Sequence, residues 1–235
     1  MLLLLTGWAW HAPSAHGQAT DGRDRILIDD FDSYESGSLP VRWRAQLNGN
    51  LVPLTEAFFN DRERIEARRE GSNGFARARV QGETVHVNMD NGSDFDWDTT
   101  THPVIAWDWR AIQLPEGSRE DEDRLNDSGA GIYIIFAIDG VIVKRPKVIK
   151  YVYSAALPVG TAVSYGKLKV IVAGSALDGS GSWQRVERDV VEDYRRVFGE
   201  APPRRPLRLR LWSDADNTGT VAVADFDNVM LLRAR

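Results

Sequence analysis

Apolar and polar residues alternate with period two along most of the chain after about residue 25. The runs share an apolar side chain at every second position, and they cover 26–29, 84–89, 105–110 and 207–212. Strict alternation of this kind is typical of β-strands with one buried and one solvated face. In the run 105–110 the apolar face holds Ile105, Trp107 and Trp109, so we expect both indoles in the core.

The run 132–138 departs from this alternation because nearly every residue in it is apolar. It predicts a central strand that is buried on both faces. Asp139-Gly140 follows it and precedes another apolar run, which makes this pair the best candidate for a hairpin turn. Asn-Gly pairs at 48–49, 73–74 and 91–92 separate other runs. Short strands with such turns predict an all-β protein, an antiparallel β-sandwich or jelly roll.

One short helix near residues 190–198 interrupts the strand pattern. Its apolar face consists of Val190, Tyr194, Val197 and Phe198. Asp189 followed by Glu192 resembles a capping box, and Gly199 with Pro202-Pro203 supplies the stop signal. We expect this helix to cover one edge or end of the sandwich.

The segment 1–19 has the features of a signal peptide. A short apolar run spans 2–10, and Gly17-Gln18-Ala19 places small residues where a signal peptidase cleaves, although no Lys or Arg precedes the run. The run is about half of the ~20 residues that a transmembrane helix needs, so no membrane span is expected. The remaining residues, 20–235, fit one β-sandwich domain. The sequence therefore predicts an exported protein, periplasmic or extracellular.

Composition narrows the function classes. The 235 residues include no cysteine, which excludes disulfides, thiolate catalysis and Cys-ligated metals, and fits a periplasmic protein with a large core. The net charge is −5 with both signs interspersed, so no basic face for nucleic acid is indicated. Only His86 and His102 lie outside the signal segment, and they are isolated. No nucleophile elbow or phosphate-binding glycine loop occurs.

Acid-rich segments near both ends of the mature chain suggest a structural calcium. Acids and apolar residues are interspersed in 28–32 and 224–228. These segments resemble those of carbohydrate-binding jelly rolls, in which the first and last strands pair and similar segments flank a structural calcium, so the resemblance implies the same pairing here. Paired strands bearing acids can supply the several oxygen ligands that Ca²⁺ requires. The candidate ligands are Asp30, Asp32, Asp225 and Asp227. The alternative is that these acids cap strand ends and turns.

Two other acidic segments have ordinary explanations. Residues 214–219, Asp-Ala-Asp-Asn-Thr-Gly, resemble half of a calcium loop, but a tight polar hairpin explains them as well and is favoured. The loop 116–127 carries six acids, and we favour a solvated loop over a ligand or cation site at the rim of the sandwich.

The order and spacing of several segments resemble a bacterial family catalogued only as domain of unknown function 3047. The segments are 103–110 with 114–115, Asp127 with 132–136, 149–154, 183–190, 193–195, 198–203 and 214–219. The resemblance covers roughly 26–233 and implies an exported β-sandwich domain, with no activity to carry across. The chain departs from the family pattern at Asp108, where Arg is usual, and at Asp127, which stands without the usual second Asp.

These observations favour a non-catalytic periplasmic binding or accessory module for a glycan. Eight tryptophans support it, since sugars stack on exposed indoles, and Trp97 and Trp212 are the expected surface aromatics. The candidate ligand-binding residues are Trp97, Asp108, Arg110, Asp127 and Trp212. The alternatives are a carbohydrate-active enzyme that uses paired acids and a protein-interaction domain with a partner in the envelope.

Overall fold

The computed structural model describes residues 24–140 and 145–235. Its elements are β1 (Arg25–Asp29), β2 (Arg44–Leu47), β3 (Asn50–Pro53), β4 (Glu63–Glu70), β5 (Asn73–Gln81), β6 (Thr84–Asp90), β7 (Val104–Gln113), β8 (Ala130–Asp139), β9 (Arg145–Ser154), β10 (Ala162–Tyr165), β11 (Leu168–Ser175), β12 (Gln184–Asp189), α1 (Val190–Phe198), β13 (Arg208–Asp214) and β14 (Val221–Leu232). Short 3-10 turns lie at Glu56–Phe58 and Ala176–Asp178.

The strands form two sheets that pack face to face, which confirms the predicted β-sandwich. Sheet A has six strands, in the order β12-β7-β14-β5-β4 with β1 beside β14. Sheet B has eight strands, in the order β10-β11-β9-β8-β13-β6-β2-β3. All pairs are antiparallel except β9 with β11, which is parallel.

The core lies between the two sheets and is built from aromatic side chains. Trp107 and Trp109 of β7 are fully buried, as predicted, with ring centroids 5.2 Å apart. Sheet B contributes Tyr151 and Tyr153 of β9 to the same layer. The ring centroid of Tyr151 lies 5.5 Å from that of Trp107, and the centroid of Tyr153 lies 5.5 Å from that of Trp109. Such tilted and edge-on pairs are favourable arrangements for aromatic rings, and they hold the two inner faces together.

Strand β8 runs through the middle of sheet B, between β9 and β13. Residues 130–136 are buried on both faces, which confirms the prediction of a central strand. The pairing of β8 with β9 is antiparallel, as expected for strands on either side of Asp139-Gly140. A second apolar surface therefore covers part of the outer face of sheet B, away from the core.

Helix α1 begins and ends where the sequence predicts. Asp189 accepts hydrogen bonds from the backbone N–H groups of Val191 and Glu192, both at 2.9 Å. Gly199 ends the helix in the left-handed region with φ of 74°, where glycine is favoured. Tyr194 stacks edge-on against Phe136 with ring centroids 4.7 Å apart. The helix thus closes one end of the core, next to β7 and β12.

The chain ends pair as predicted. Strand β1 is antiparallel to β14, with Arg25 opposite Leu232, and both strands are irregular near their acidic segments. In β14 the irregularity falls between Asp227 and Met230, and Asn228 there has a φ of 49°. The predicted signal peptide, 1–19, lies outside the described residues. No helix within the described ranges has the length and apolar character needed to cross a bilayer.

Candidate functional site

A wide groove of about 1230 Å³ crosses the outer face of sheet B. Its apolar floor is formed by Tyr133 and Ile135 of β8 with Val148 of β9 and Leu168 of β11. The side chains of β13 alternate, so Leu209 and Leu211 enter the core while the residues between them face the groove. Polar and charged groups surround the floor, namely Gln46, Asn48, Asn50, Asp90, Asn91, Ser93, Arg145, Lys167, Arg208 and Arg210.

Trp212 lies on this outer face, at one end of the apolar floor, as the sequence predicts for a surface aromatic. Its ring lies between Tyr133 and His86, with both centroids at 4.9 Å, and it is nearly parallel to the imidazole. Burial and the positive charges of Arg210 and Arg208 together lower the pKa of His86 to about 4. The histidine is therefore neutral at pH 7, and the row from His86 to Tyr133 forms a continuous aromatic surface.

Arg210 is the polar centre of the groove. Its Nε donates to Asn88 Oδ1 and its Nη2 to Gln46 Oε1, both at 2.6 Å. Its guanidinium lies 5.5 Å from the ring centroid of Trp212 and 5.8 Å from that of Tyr133. Neutral amides and aromatic faces thus hold this side chain in place. Sequence analysis missed Arg210, although the alternation in 207–212 places it on the same face as Trp212.

Beyond Trp212, the loop 116–127 folds over the outer face of sheet B. Its acid Glu120 is buried and accepts a hydrogen bond from Ser154 at 2.5 Å, and the Tyr165 hydroxyl donates to the Glu120 carbonyl at 2.7 Å. Glu116, Asp121, Glu122 and Asp123 are exposed. The expectation of a solvated loop is therefore right for those four acids and wrong for Glu120 and Asp127, which are buried.

A buried ion pair lies beneath this loop. Lys150 Nζ is 3.6 Å from Asp214 Oδ2, and both side chains are almost completely shielded from solvent. Burial alone would lower the pKa of Lys150, but the Asp214 carboxylate and the Tyr133 hydroxyl raise it above its ordinary value. Burial also raises the pKa of Asp214. Lys150 Nζ also lies 5.3 Å from the ring centroid of Tyr133 and 5.8 Å from that of Trp212.

Asp127, a predicted ligand-binding residue, is fully buried and organises the turn 214–219. Its carboxylate accepts from Asn217 N at 3.0 Å and from Thr218 N and Oγ1 at 2.7 Å. That turn connects β13 of sheet B with β14 of sheet A, so the expected hairpin is wrong. Among the described residues, Asp127, Asp214 and Asp216 form the group of acids whose oxygens lie within 4.8 Å of one another.

The four acids predicted to bind calcium do not form such a group. Asp225 is fully buried and is bound by Arg77, at 2.6 and 2.9 Å, and by Arg110, at 2.8 Å. Asp32 accepts from Gly74 N at 2.6 Å, and Asp30 accepts from Asp32 N at 3.2 Å. The alternative that acids cap strand ends and turns therefore describes Asp30 and Asp32. The structural calcium at Asp30, Asp32, Asp225 and Asp227 stays a prediction, and Asp127, Asp214 and Asp216 form a separate group of acids.

Asp227 is a buried acid on the outer face of sheet A. It accepts from Asn73 Nδ2 at 3.0 Å and from Asn228 N at 2.6 Å. Burial, together with the negative charges of Asp108 and Asp32, raises its pKa to about 7. Asp108, opposite it on β7, accepts from Asn228 Nδ2 at 2.8 Å.

The predicted ligand-binding residues do not share one site. Trp97 is fully buried, and its Nε1 donates to the His102 carbonyl at 2.8 Å, so its prediction as a surface aromatic is wrong. Asp108 and Arg110 lie on the outer face of sheet A, on the opposite side of the sandwich from the groove. Arg110 is bound there by Asp225 and Glu70 and lies 4.7 Å from the ring of Trp183. Of the set, Trp212 borders the groove.

Comparison with known families identifies the domain. A family described as protein of unknown function (DUF3047) matches residues 66–230. The chain belongs to this family. No curated protein sequence matches it.

Solved structures with a similar layered fold include carbohydrate-binding modules. One is the family 30 carbohydrate-binding module of a cellulosomal cellulase from Clostridium thermocellum, with 12% identity over 88% of this chain and 96% of that chain, at a TM-score of 0.40. Another structure of a family 30 module has 10% identity over 89% and 99% of the two chains, at 0.42. A loop-swap mutant of Necallimastix patriciarum Xyn11A has 13% identity over 75% of this chain and 94% of that chain, at a TM-score of 0.32. These likenesses are distant, and the proposal below rests on this chain's own residues.

Proposed function

We propose that this DUF3047 domain is a non-catalytic glycan-binding module whose site is the groove on the outer face of sheet B. The observation that carries the proposal is the composition of that groove, which joins an aliphatic and aromatic floor to a rim of amides and guanidinium groups. Sugars present apolar ring faces together with hydroxyl groups that both donate and accept. A floor such as Tyr133, Ile135 and Leu168 suits the ring faces, and amides such as Gln46 and Asn50 suit the hydroxyls.

The dimensions of the groove favour an oligomeric ligand. Its volume of about 1230 Å³ lies above the range of roughly 300–1,000 Å³ that holds drug-sized molecules. It is also open along the sheet, between the loops at 48–50 and 91–93 on one side and the turn at 165–167 on the other. An open groove of this kind accommodates several sugar units of a longer chain.

Binding fits the groove better than catalysis does. Asp90 is the carboxylate among the described lining residues, and Arg208 Nε donates to it at 2.6 Å. Glycoside hydrolysis by paired acids needs a second carboxyl group at a distance of roughly 5–9.5 Å across the bond. Of the acids beside the rim, Asp94 is paired with Arg44 and Asp139 with Lys167, the latter at 2.9 Å. Glu120 and Asp214 are buried.

The decisive experiment measures binding to a panel of soluble polysaccharides by affinity electrophoresis and calorimetry. The variant Ile138→Ala/Leu207→Ala removes two groove side chains that are 56% and 43% exposed. The matched control, Ile112→Ala/Leu27→Ala, removes two aliphatic side chains of sheet A that are 44% and 47% exposed. We expect the groove variant to weaken binding by about tenfold and the control to bind as the parent does. Equal losses in both variants, or no binding to any glycan, would reject the proposal.

Export is part of the proposal, since polysaccharide ligands of this size lie outside the cytoplasm. The apolar run at 2–10 and the small residues at 17–19 support it. Expression of the full chain followed by mass spectrometry of the periplasmic fraction tests it. We expect a product that begins after Ala19, and an uncleaved chain in the cytoplasm would contradict this.

A further inference from the structure

Arg210 carries a positive charge that no acid of the described chain neutralises. Its acceptors are the neutral amide oxygens of Asn88 and Gln46, and no Asp or Glu in 24–140 or 145–235 forms an ion pair with it. The other arginines on the sheet faces with comparable burial are paired. Arg77 and Arg110 bind Asp225, Arg188 binds Asp193, and Arg208 binds Asp90.

The surroundings of Arg210 show the cost of this arrangement. Burial and the neighbouring charge of Arg208 together lower the pKa of its guanidinium to about 10, while Tyr133 partly opposes the shift. A charge that is withdrawn from water without an opposite charge is destabilising, so the fold tolerates an unfavourable group in the lining of this groove. An anion bound beside Arg210 would remove that penalty.

The charge balance of the groove points the same way. The described lining residues include four basic side chains, Arg145, Lys167, Arg208 and Arg210. Arg208 is paired with Asp90 and Lys167 with Asp139, at 2.9 Å, which leaves two positive charges, or a net +2. The whole chain has a net charge of −5. A concave, positively charged surface on a protein of net negative charge attracts anions. The groove therefore favours acidic ligands over neutral ones.

The geometry suits a planar anion. The contacts of Nε with Asn88 and of Nη2 with Gln46 fix the guanidinium, and the rings of Tyr133 and Trp212 lie within 6 Å of it. Nη1 donates to no protein atom of the described residues. A guanidinium binds a carboxylate through directed, charge-assisted hydrogen bonds, and here its orientation is set before the ligand arrives.

We propose that the groove selects acidic glycans, with Arg210 pairing with the carboxylate of a hexuronate unit while neighbouring units lie over the apolar floor. This inference rests on the proposed function and names its ligand class. The aliphatic floor binds the ring faces of any glycan, and Arg210 supplies the preference for the acidic one.

The test compares a hexuronan, such as an oligogalacturonate, with the same oligomer after chemical reduction of its carboxyl groups. We expect the parent protein to bind the acidic form at least tenfold more tightly, with a preference that declines as salt is raised. Arg210→Gln should lose the preference and keep the affinity for the reduced oligomer. Arg79→Gln, which removes an exposed arginine of sheet A, should behave as the parent does.

The outcomes separate this inference from the proposed function. Equal affinity of the parent for both oligomers, or an undiminished preference in Arg210→Gln, would overturn the inference and leave glycan binding standing. Failure to bind any glycan would overturn both. Arg210→Gln removes an unneutralised charge, so its melting temperature should equal or exceed that of the parent. Arg210→Lys, which keeps the charge without the fork, should retain only part of the preference, and full retention would contradict the role of guanidinium geometry.

Discussion

Arg110 of β7 and Asp225 of β14 form an ion pair across adjacent strands of sheet A, with Nε 2.8 Å from Oδ2. Asp225 is fully buried and also binds Arg77 through both of its oxygens. One carboxylate therefore neutralises two arginines, one from each neighbouring strand. This ion pair holds Arg110 on sheet A, away from the groove, and gives Asp225 a structural role as the common partner of two arginines.

Asp225→Asn tests that structural role. The substitution removes the buried carboxylate that binds both arginines and leaves them partly desolvated, with the exposed Glu70 as the remaining acid on Arg110, so we expect a loss of about 3–5 kcal/mol in the free energy of unfolding. Urea denaturation followed by circular dichroism measures it. Asp121→Asn breaks the exposed pair with Arg119 and serves as the control, with little change expected. A similar small effect in both variants would contradict the buried-pair interpretation.

Asp227 predicts a pH dependence of stability. Its pKa is 3.8 in an unperturbed state and about 7 in the folded protein, chiefly because of burial. Between these values the folded state binds a proton that the unfolded state has lost, so this residue lowers stability by up to about 1.4 kcal/mol per pH unit as pH rises. The contribution is absent below pH 4 and fully expressed above pH 7.

Asp227→Asn should abolish this dependence while keeping an oxygen that can accept from Asn73 and Asn228. We expect it to match the parent near pH 4 and to be more stable by roughly 2–4 kcal/mol at pH 8. Urea titrations across that range, with Asp61→Asn as an exposed-acid control, measure the difference. A gain that is equal at pH 4 and pH 8 would show that removal of the charge is not the cause.

Gly74 holds the loop after β1 against the beginning of β5. A Cβ at this position would lie 2.3 Å from the Phe31 carbonyl oxygen and 2.9 Å from Asp32 Cα, and both obstacles are backbone atoms. Gly74→Ala should therefore displace the loop and lower the free energy of unfolding by about 2–3 kcal/mol. At Gly131 of β8 the nearest atoms are 3.5 Å away, so Gly131→Ala should be neutral or slightly stabilising. Equal effects in thermal melts would refute the close approach.

Local signals predicted the elements well. Helix α1 was identified because its caps and apolar face lie within a dozen consecutive residues. Strand β8 was identified because nearly every residue in the run 132–138 is apolar, which is a local pattern. The pairing of β1 with β14 was also predictable from the matching acidic segments. The parallel pairing of β11 with β9 was not predictable, because the residue pattern of a strand does not show whether it pairs with the preceding strand in sequence or crosses over to another one.

The candidate site could not be assembled from periodicity alone. Alternation shows that Asp108 and Arg110 share one face and that Arg210 and Trp212 share another, but it does not show which sheet each strand joins. In the structure these two faces lie on opposite sides of the molecule. The turn 214–219 illustrates the same limit, since a polar turn between two strands has the same sequence features whether it joins neighbours or links two sheets.

A second group of acids, distinct from the predicted calcium ligands near the ends of the mature chain, tests calcium binding through Asp216, its exposed member beside Asp127 and Asp214. The cluster offers three carboxylates within 4.8 Å, but Asp127 already binds the turn 214–219 and Lys150 lies 3.6 Å from Asp214. Because Asp127 and Asp214 already have partners, a cation in this group would depend on the carboxylate of Asp216. Asp216→Asn should therefore abolish the effect of calcium while the turn stays intact. Calcium binding predicts that millimolar CaCl₂ raises the melting temperature of the parent and EDTA lowers it, because a ligand of the native state stabilises by mass action. Asp123→Asn, an exposed acid of the loop 116–127, should respond to calcium as the parent does. Identical melting temperatures of the parent in CaCl₂ and EDTA would show that Lys150 supplies the positive charge that the acids require and that no structural calcium binds there.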